Sequence, residues 1–421
     1  MKSDARVSAN GLIGSSLAFV FASLLEQQPG CHLFVLNDKE DAAYFQNDIE
    51  SLLEDKYILF FPDSYRKPFH LGDADTAQVQ MRAEALGRIN KMAGSLVIVT
   101  YPEAICEKVI TKRNLVKNTI DISVGEKLSP DFITDFLLSY DFEYVDFVTE
   151  PGQFAVRGGI VDVFSFSRDL PFRIEFLGDS IDSIRTFETD TQLSLQPMHA
   201  ITIMPDVQTK LVEEKRESLF AFLPENTRVW IKDIQHTLQV IDTGYEKASE
   251  LRNNSETLIG PIRVEEVYES KAEVKIAIEK HSLVEFGSKS YYPGAPKVEF
   301  KQRPQPSFNK NFQLLNENFI DNNQKGISNF IFADSPRQME RIYAIFEDIG
   351  KETPFTSIPL SIHEGFVDEE LKIAYYTDHQ IFDRYHRFKL KKKYQKSESI
   401  TLKELYGLKP GDFVTHIDHG I

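Results

Sequence analysis

The first hundred residues alternate short apolar runs with helical patterns, and this alternation restricts the possible folds of the chain more than any other feature. The runs are ARVSA, HLFVLN, YILFFP and SLVIVTY; between them, apolar spacing predicts helices over about 14–27, 38–53 and 75–91. Intervening helices supply the length that crossovers require, so a parallel sheet covered by helices is expected. From about residue 120 the pattern changes to a short helix at 130–139 and then to a strand-rich stretch punctuated by glycine. After about 205, VEEKRESLFAFLPENTRVWIKD returns to helix followed by an apolar strand. That return predicts one α/β domain made from 1–118 and 206–308, with a β-rich domain of 119–205 inserted in it.

Further along, KQRPQP at 301–306 carries two prolines and reads as a linker. A second, small α/β domain is expected over 309–392, from NFIFADS, a helix over about 336–349, FTSIPLS and LKIAYYTDHQIF. The basic, polar HRFKLKKKYQKSES supplies a linker at 393–402, ahead of a last segment at 403–421. A length of 421 residues has room for these parts, since domains commonly take roughly 100–150 residues each.

Composition narrows the partners. A formal charge of −16 argues against a broad grip on a phosphate backbone, which needs clustered Lys and Arg. Cys31 and Cys106 stand far apart with no Cys or His at zinc-like spacing, so reduced thiols and a cytoplasmic location are expected, without a metal. The apolar stretch at 12–25 is interrupted by Ser15, Ser16 and Ser23, and it is too short to span a bilayer, so no membrane is expected.

Within QFAVRGGIVDVFSFSRDLPFRIEFLGDSIDSIRTFET, at 153–189, two alternating strands are expected. Counted in steps of two, Phe154, Val156, Ile160, Phe164 and Phe166 share one parity and Arg157 the other, while Phe172, Ile174 and Phe176 alternate with Arg173, Glu175 and Leu177. One face is apolar and the other carries arginines, a glutamate and a leucine. Planar guanidinium groups make forked, directional hydrogen bonds, which suits that face to docking a protein; a solvated outer face is the other use of such a surface.

The string RGGIVDVF followed by PFRIEFLGDSIDSIRTFE resembles domain 2 of the bacterial excision-repair protein UvrB and of its relatives, the transcription-repair coupling factors of the Mfd family. The FFP strand with its helix, TDHQIF at 377–382 and the closing KPGDFVTHIDHGI carry the same resemblance, which covers nearly the whole chain and is weakest over about 206–310. It implies an α/β multidomain fold, with a parallel-sheet, degenerate P-loop (RecA-like) domain, an inserted α+β UvrA-binding domain and a second small α/β domain. It further implies that Arg157, Arg173 and Glu175 occupy UvrA-contacting positions. Leu177 stands where some family members carry an aromatic residue. Glu175 is expected either to orient Arg173 or to pair with a basic group on the partner.

The same resemblance makes 403–421 the opening of a β-barrel that binds RNA polymerase, so the chain is expected to be a fragment, since one strand cannot close a barrel. DNA and ATP with magnesium then belong to a translocase motor outside it. The implied function is that of a transcription-coupled nucleotide excision repair adaptor that recruits UvrA and performs no catalysis itself.

A P-loop needs glycines, a lysine for the phosphates and a Ser/Thr hydroxyl for magnesium. Aligned to that pattern, SANGLIGSS places Gly14 and Ser16 suitably but puts Ser15 at the lysine position and Ala9 at the first glycine. Gly11, Gly14, Ser15 and Ser16 are therefore expected to form an inactive nucleotide loop, and no cofactor is expected; Gly350-Lys351, followed by Glu352, does not repair the loss. The alternative reading is a UvrB-like, ATP-dependent DNA-damage-binding protein. Against it, YRKPFHLGDADTAQ is too short for UvrB's long DNA-clamping hairpin, and Tyr65 and Phe69 are expected to pack internally instead of stacking on bases. His416 and His419 fall on opposite faces of a strand, Asp368, Glu369 and Glu370 read as a loop, and no catalytic constellation is present in the local spacing.

Overall fold

A computed structural model describes residues 5–53, 57–65, 69, 74–92, 94–206, 215–254, 263–287, 289–348 and 355–385. The described residues up to Leu115 and from 215 to 385 make one compact unit, and those from Val116 to 206 make a second.

The first unit is built on a seven-stranded sheet in the order Lys297–Glu299, Arg6–Asn10, Ser282–Gly287, Arg228–Ile231, Cys31–Val35, Leu96–Thr100, Tyr57–Phe60. Every neighbouring pair is parallel, as the alternation of strand and helix requires. Four strands come from the chain before the second unit and three from the chain after it. CHLFV and LVIVT are buried at every residue, which is the pattern of central parallel strands covered on both faces. The predicted helices lie at Ser16–Gln27, Lys39–Leu52 and Thr76–Asn90. Asp38 caps the second by accepting from the Asp41 N–H, and Asp75 caps the third through the Ala77 and Gln78 N–H groups.

A five-stranded mixed sheet follows in the same unit, ordered Gln302–Pro304, Phe366–Asp368, Ile373–Thr377, Ser328–Phe332, Thr356–Ile358. KQRPQP is not a linker: Gln302–Pro304 pairs antiparallel with Phe366–Asp368, and an edge strand tolerates proline because one side of its backbone needs no ladder partner. Asp368 is not a loop acid: it ends a strand, is buried, and accepts from Gln302 Nε2 and from the Glu370 and Leu371 N–H groups.

The second unit carries a six-stranded sheet, ordered Ser194–Pro197, Ser180–Phe187, Phe172–Leu177, Ile160–Val163, Gln153–Arg157, Glu143–Tyr144. Beside it, Ile120–Ser123 pairs antiparallel with Ala200–Ile203, which ties the two ends of the unit together. The helix Pro130–Ser139 begins with proline in its first turn, where no N–H is missed, and the Ser129 hydroxyl accepts from the Phe132 N–H.

Tyr65 and Phe69 are buried and pack near Tyr268, with ring centroids 6.5 and 5.1 Å away, so neither presents a face for a base. Gly350, Lys351, Glu352, His416, His419 and the segments 393–402 and 403–421 lie outside the described residues. Among the described residues, no helix is long and apolar enough to cross a membrane.

Arg82 and Glu107 are both fully buried, and the guanidinium also donates to the carbonyls of Pro62, Ala104 and Glu107. Removing one partner strands the other's charge, so Arg82→Leu is expected to lower the unfolding free energy of this unit by about 3–5 kcal/mol. Trp230, the single tryptophan of the chain, stacks on Phe34 at 5.1 Å in the same sheet. Its fluorescence during urea unfolding reads this unit alone, and an unmoved midpoint would refute the expectation.

Candidate functional site

The face that carries Arg157, Arg173, Glu175 and Leu177 is shaped by two tight hairpins. Gln153–Arg157 and Ile160–Val163 are joined by Gly158-Gly159, with Gly158 at φ 59°, and Phe172–Leu177 and Ser180–Phe187 by Gly178-Asp179, with Gly178 at φ 63°. Glycine supplies the positive φ that two-residue hairpin turns require.

The first turn also inverts the parity. Arg157 lies opposite Ile160, and Val156 opposite Val161, so beyond the turn the odd positions join the apolar side. Val161 and Val163 are buried with Phe154, whereas Ile160 belongs to the face of Arg157, which corrects the even-numbered grouping. Phe164 is buried on the other side of the sheet, in a small cluster with Val148, Ala155 and Phe187.

At the centre of the charged face is Asp162, which the sequence reading did not single out. It has no exposure and lies opposite Arg173 and Ala155 in register. Its carboxylate accepts two hydrogen bonds from Arg173, from Nε at 2.8 Å and Nη2 at 2.9 Å, and it also pairs with Arg157. Arg173 donates a further bond to the Gln192 carbonyl at 3.2 Å, and its guanidinium lies 4.7 Å from the Phe187 ring centroid. Arg157 donates to the Asp146 carbonyl at 3.2 Å and lies over Phe147 at 5.6 Å. The two guanidinium groups are thus fixed by one carboxylate and by aromatic faces, with side-chain exposures of 42% for Arg157 and 17% for Arg173.

Glu175 does not orient Arg173. It accepts from the Ser183 hydroxyl at 2.7 Å and pairs with Arg185, two partners the sequence reading missed. The Ser183 hydroxyl and then Arg185 hold the Glu175 carboxyl below its ordinary range. Leu177 stands at the second hairpin's tip with 77% exposure. The signal for Asp162 was present in RGGIVDVF: an acid inside an apolar run, placed by a two-residue turn on the arginine side.

The turn expected to be a decayed nucleotide loop joins Arg6–Asn10 to the helix Ser16–Gln27, at the carboxyl end of a parallel strand. Gly11 and Gly14 adopt φ of +83° and +54°. The Ser15 N–H donates to the Glu364 carbonyl at 3.1 Å, the Ile13 N–H to Gln302 Oε1 at 3.1 Å and to Ser16 Oγ at 2.9 Å. Asp48, on the neighbouring helix, accepts from the His363 N–H at 2.7 Å and from Ser15.

Residues 120–208 match the UvrB interaction domain family. The chain is similar to the transcription-repair-coupling factor of Bacillus subtilis, 31% identical over 198 residues, or 46% of this chain and 16% of that protein. It is similar to that of Escherichia coli, 27% identical over 46% of this chain and 17% of that protein, and to that of Borreliella burgdorferi, 25% identical over 98% of this chain and 39% of that protein. A UvrABC system protein B, from Pseudothermotoga lettingae, is 23% identical over 49% of the chain and 33% of its own length. The resemblance read from RGGIVDVF and FRIEFLGDSIDSIR is thereby shown. The chain spans well under half the length of these relatives.

Asp162→Asn removes the charge that both arginines share, so amide protection in 153–163 and 172–187 should fall by about 2 kcal/mol, roughly 30-fold in exchange rate. Unchanged exchange would show that the carboxylate does not fix the face. Burial pushes the Asp48 carboxyl from 3.8 up to about 7, opposed by hydrogen bonds from Ser15 and His363 and assisted by the Glu364 carboxylate. A carboxyl raised in the folded state contributes stability below about pH 4, which is lost as pH rises through about 7. Asp48→Asn should therefore flatten the decline in Trp230-monitored stability between pH 4 and pH 8, a difference on the order of 2–4 kcal/mol. Parallel pH curves for wild type and variant would remove Asp48 as the cause.

Proposed function

We propose that this chain is the UvrA-recruiting part of a transcription-repair coupling factor, acting in transcription-coupled nucleotide excision repair in the cytoplasm. The observation that carries the reading is the pair of guanidinium groups held by Asp162 on the outward face of the segment matched by the UvrB interaction domain family. Arg157 and Arg173 meet carboxylates on UvrA with the donors that Asp162 and the Asp146 and Gln192 carbonyls leave over. Glu175 and Arg185 flank them as a charged pair that can exchange partners at the rim, and Leu177 adds an apolar contact at the hairpin tip. In this reading the second unit is a domain inserted into a sheet of P-loop ancestry. RNA polymerase is engaged through the segment that opens at 403, while DNA, ATP and magnesium belong to motor domains of the longer protein.

The arginines are pre-positioned, so little side-chain entropy is lost when UvrA docks, and the energy of each contact appears in the affinity. Arg157→Ala and Arg173→Ala are each expected to weaken UvrA binding by about 2–4 kcal/mol, and Leu177→Ala by about 1 kcal/mol. Calorimetric titration of purified UvrA into each variant tests this. Wild-type affinity in both arginine variants, with the fold intact by circular dichroism, would place the partner elsewhere.

A further inference from the structure

We infer that the turn 11–16 is an occupied binding site whose ligand is the chain's own segment 363–365, and that it latches the five-stranded sheet to the seven-stranded one. The inference is independent of the UvrA reading, since every residue in it belongs to the first unit.

A glycine-bearing turn between a parallel strand and a helix gathers backbone N–H groups, and the helix dipole adds positive potential there, so the position favours an acceptor. Here the acceptor is internal. The Glu364 carbonyl takes the Ser15 N–H at 3.1 Å, and the Glu364 N–H in turn donates to Ser15 Oγ at 2.9 Å. This reciprocal pair uses both the main chain and the side chain of the residue at the lysine position of the P-loop pattern. A Cβ on Gly14 would lie 2.9 Å from Glu364 Cβ and 3.0 Å from its carbonyl oxygen, so the segment is seated directly on the turn. Gln302, from the neighbouring edge strand, takes the Ile13 N–H.

Three contacts hold the plug in place. The buried Asp48 carboxylate accepts the His363 N–H at 2.7 Å; the His363 ring stacks on Tyr44 with centroids 3.5 Å apart; the Gly365 N–H donates to Gln380 Oε1 at 2.8 Å. Below the turn, Phe19 packs against Tyr375 at 4.9 Å and against Phe332 and Phe366 at 5.8 Å, which continues the seam between the sheets.

A phosphate at this turn would have to displace a carbonyl with matched hydrogen bonds and enter beside the carboxylates of Glu364 and Asp48. Exclusion is therefore steric as well as chemical, and restoring the missing lysine cannot by itself restore the cradle. The test uses the full chain in two measurements. Ser15→Lys is titrated with ATP and magnesium; no saturable binding below millimolar nucleotide is expected, and saturable binding in the micromolar range would overturn the inference. Hydrogen exchange is then compared for wild type, Gly14→Val and Ser15→Ala. Gly14→Val should speed exchange at Ser15, Glu364 and Gly365 by about tenfold or more, and Ser15→Ala at Glu364 by several-fold, with 153–187 unchanged. If Gly14→Val does not fold, Ser15→Ala decides alone, and wild-type exchange at Glu364 in that variant would overturn the latch.

Discussion

A carboxylate removed from water must be paired, and it orders whatever pairs with it. Asp162 has that effect in the second unit: with no exposure, its carboxylate is held between Arg157 and Arg173. The usual relation between a surface arginine and its entropy is thereby reversed. A solvated arginine samples many rotamers and contributes little to a contact, whereas these two are fixed before any partner arrives. The rigidity reaches further through Phe187 and Phe147, whose ring faces lie beneath the guanidinium groups, and through the small cluster of Val148, Ala155, Phe164 and Phe187 on that side of the sheet. The face is therefore a property of the folded core, in contrast with a scatter of charges on an outer surface.

The parts of the fold written in short-range periodicity were legible. CHLFV and LVIVT are mostly apolar runs that suit a strand covered on both faces, and the three helices between the first strands begin and end within about two residues of their expected spans. The errors arose where a backbone event changes the counting rule. Gly158-Gly159 shifts the inward parity from even to odd, so the same step-of-two count that grouped Phe154 with Val156 wrongly added Ile160. In KQRPQP, composition suggested a linker, but the hydrogen bonds that decide the matter go to Phe366–Asp368, more than sixty residues away, which no local window contains.

The site divides in the same way. Arg157, Arg173, Glu175 and Leu177 were readable as alternating residues of two strands, because alternation is local. Their pairing was not. Asp162 meets Arg173 across a ladder, and Glu175 turns to Arg185 and Ser183 on the neighbouring strand, so the partner of each charge is set by register. A carboxylate in the middle of IVDVF should still have drawn notice, since a buried acid among valines persists only with a cation beside it.

The turn 11–16 shows how backbone donors at the start of a helix are satisfied inside a fold. With Ser15 and no cation in it, the turn still gathers backbone donors at the positive end of a helix dipole. Unsatisfied donors in a closed interior are costly, so the interior must supply an acceptor or admit water. A main-chain carbonyl is the acceptor that costs least charge, and Glu364 provides it while its own N–H returns a bond to Ser15 Oγ. Asp48 fits the same logic: pushed up to about 7 by burial, its carboxyl can receive the His363 N–H without the full cost of a buried anion near neutrality. The turn 11–16 thus serves as a joint between two sheets, and its hydrogen-bonding capacity is used for mechanical coupling within the first unit.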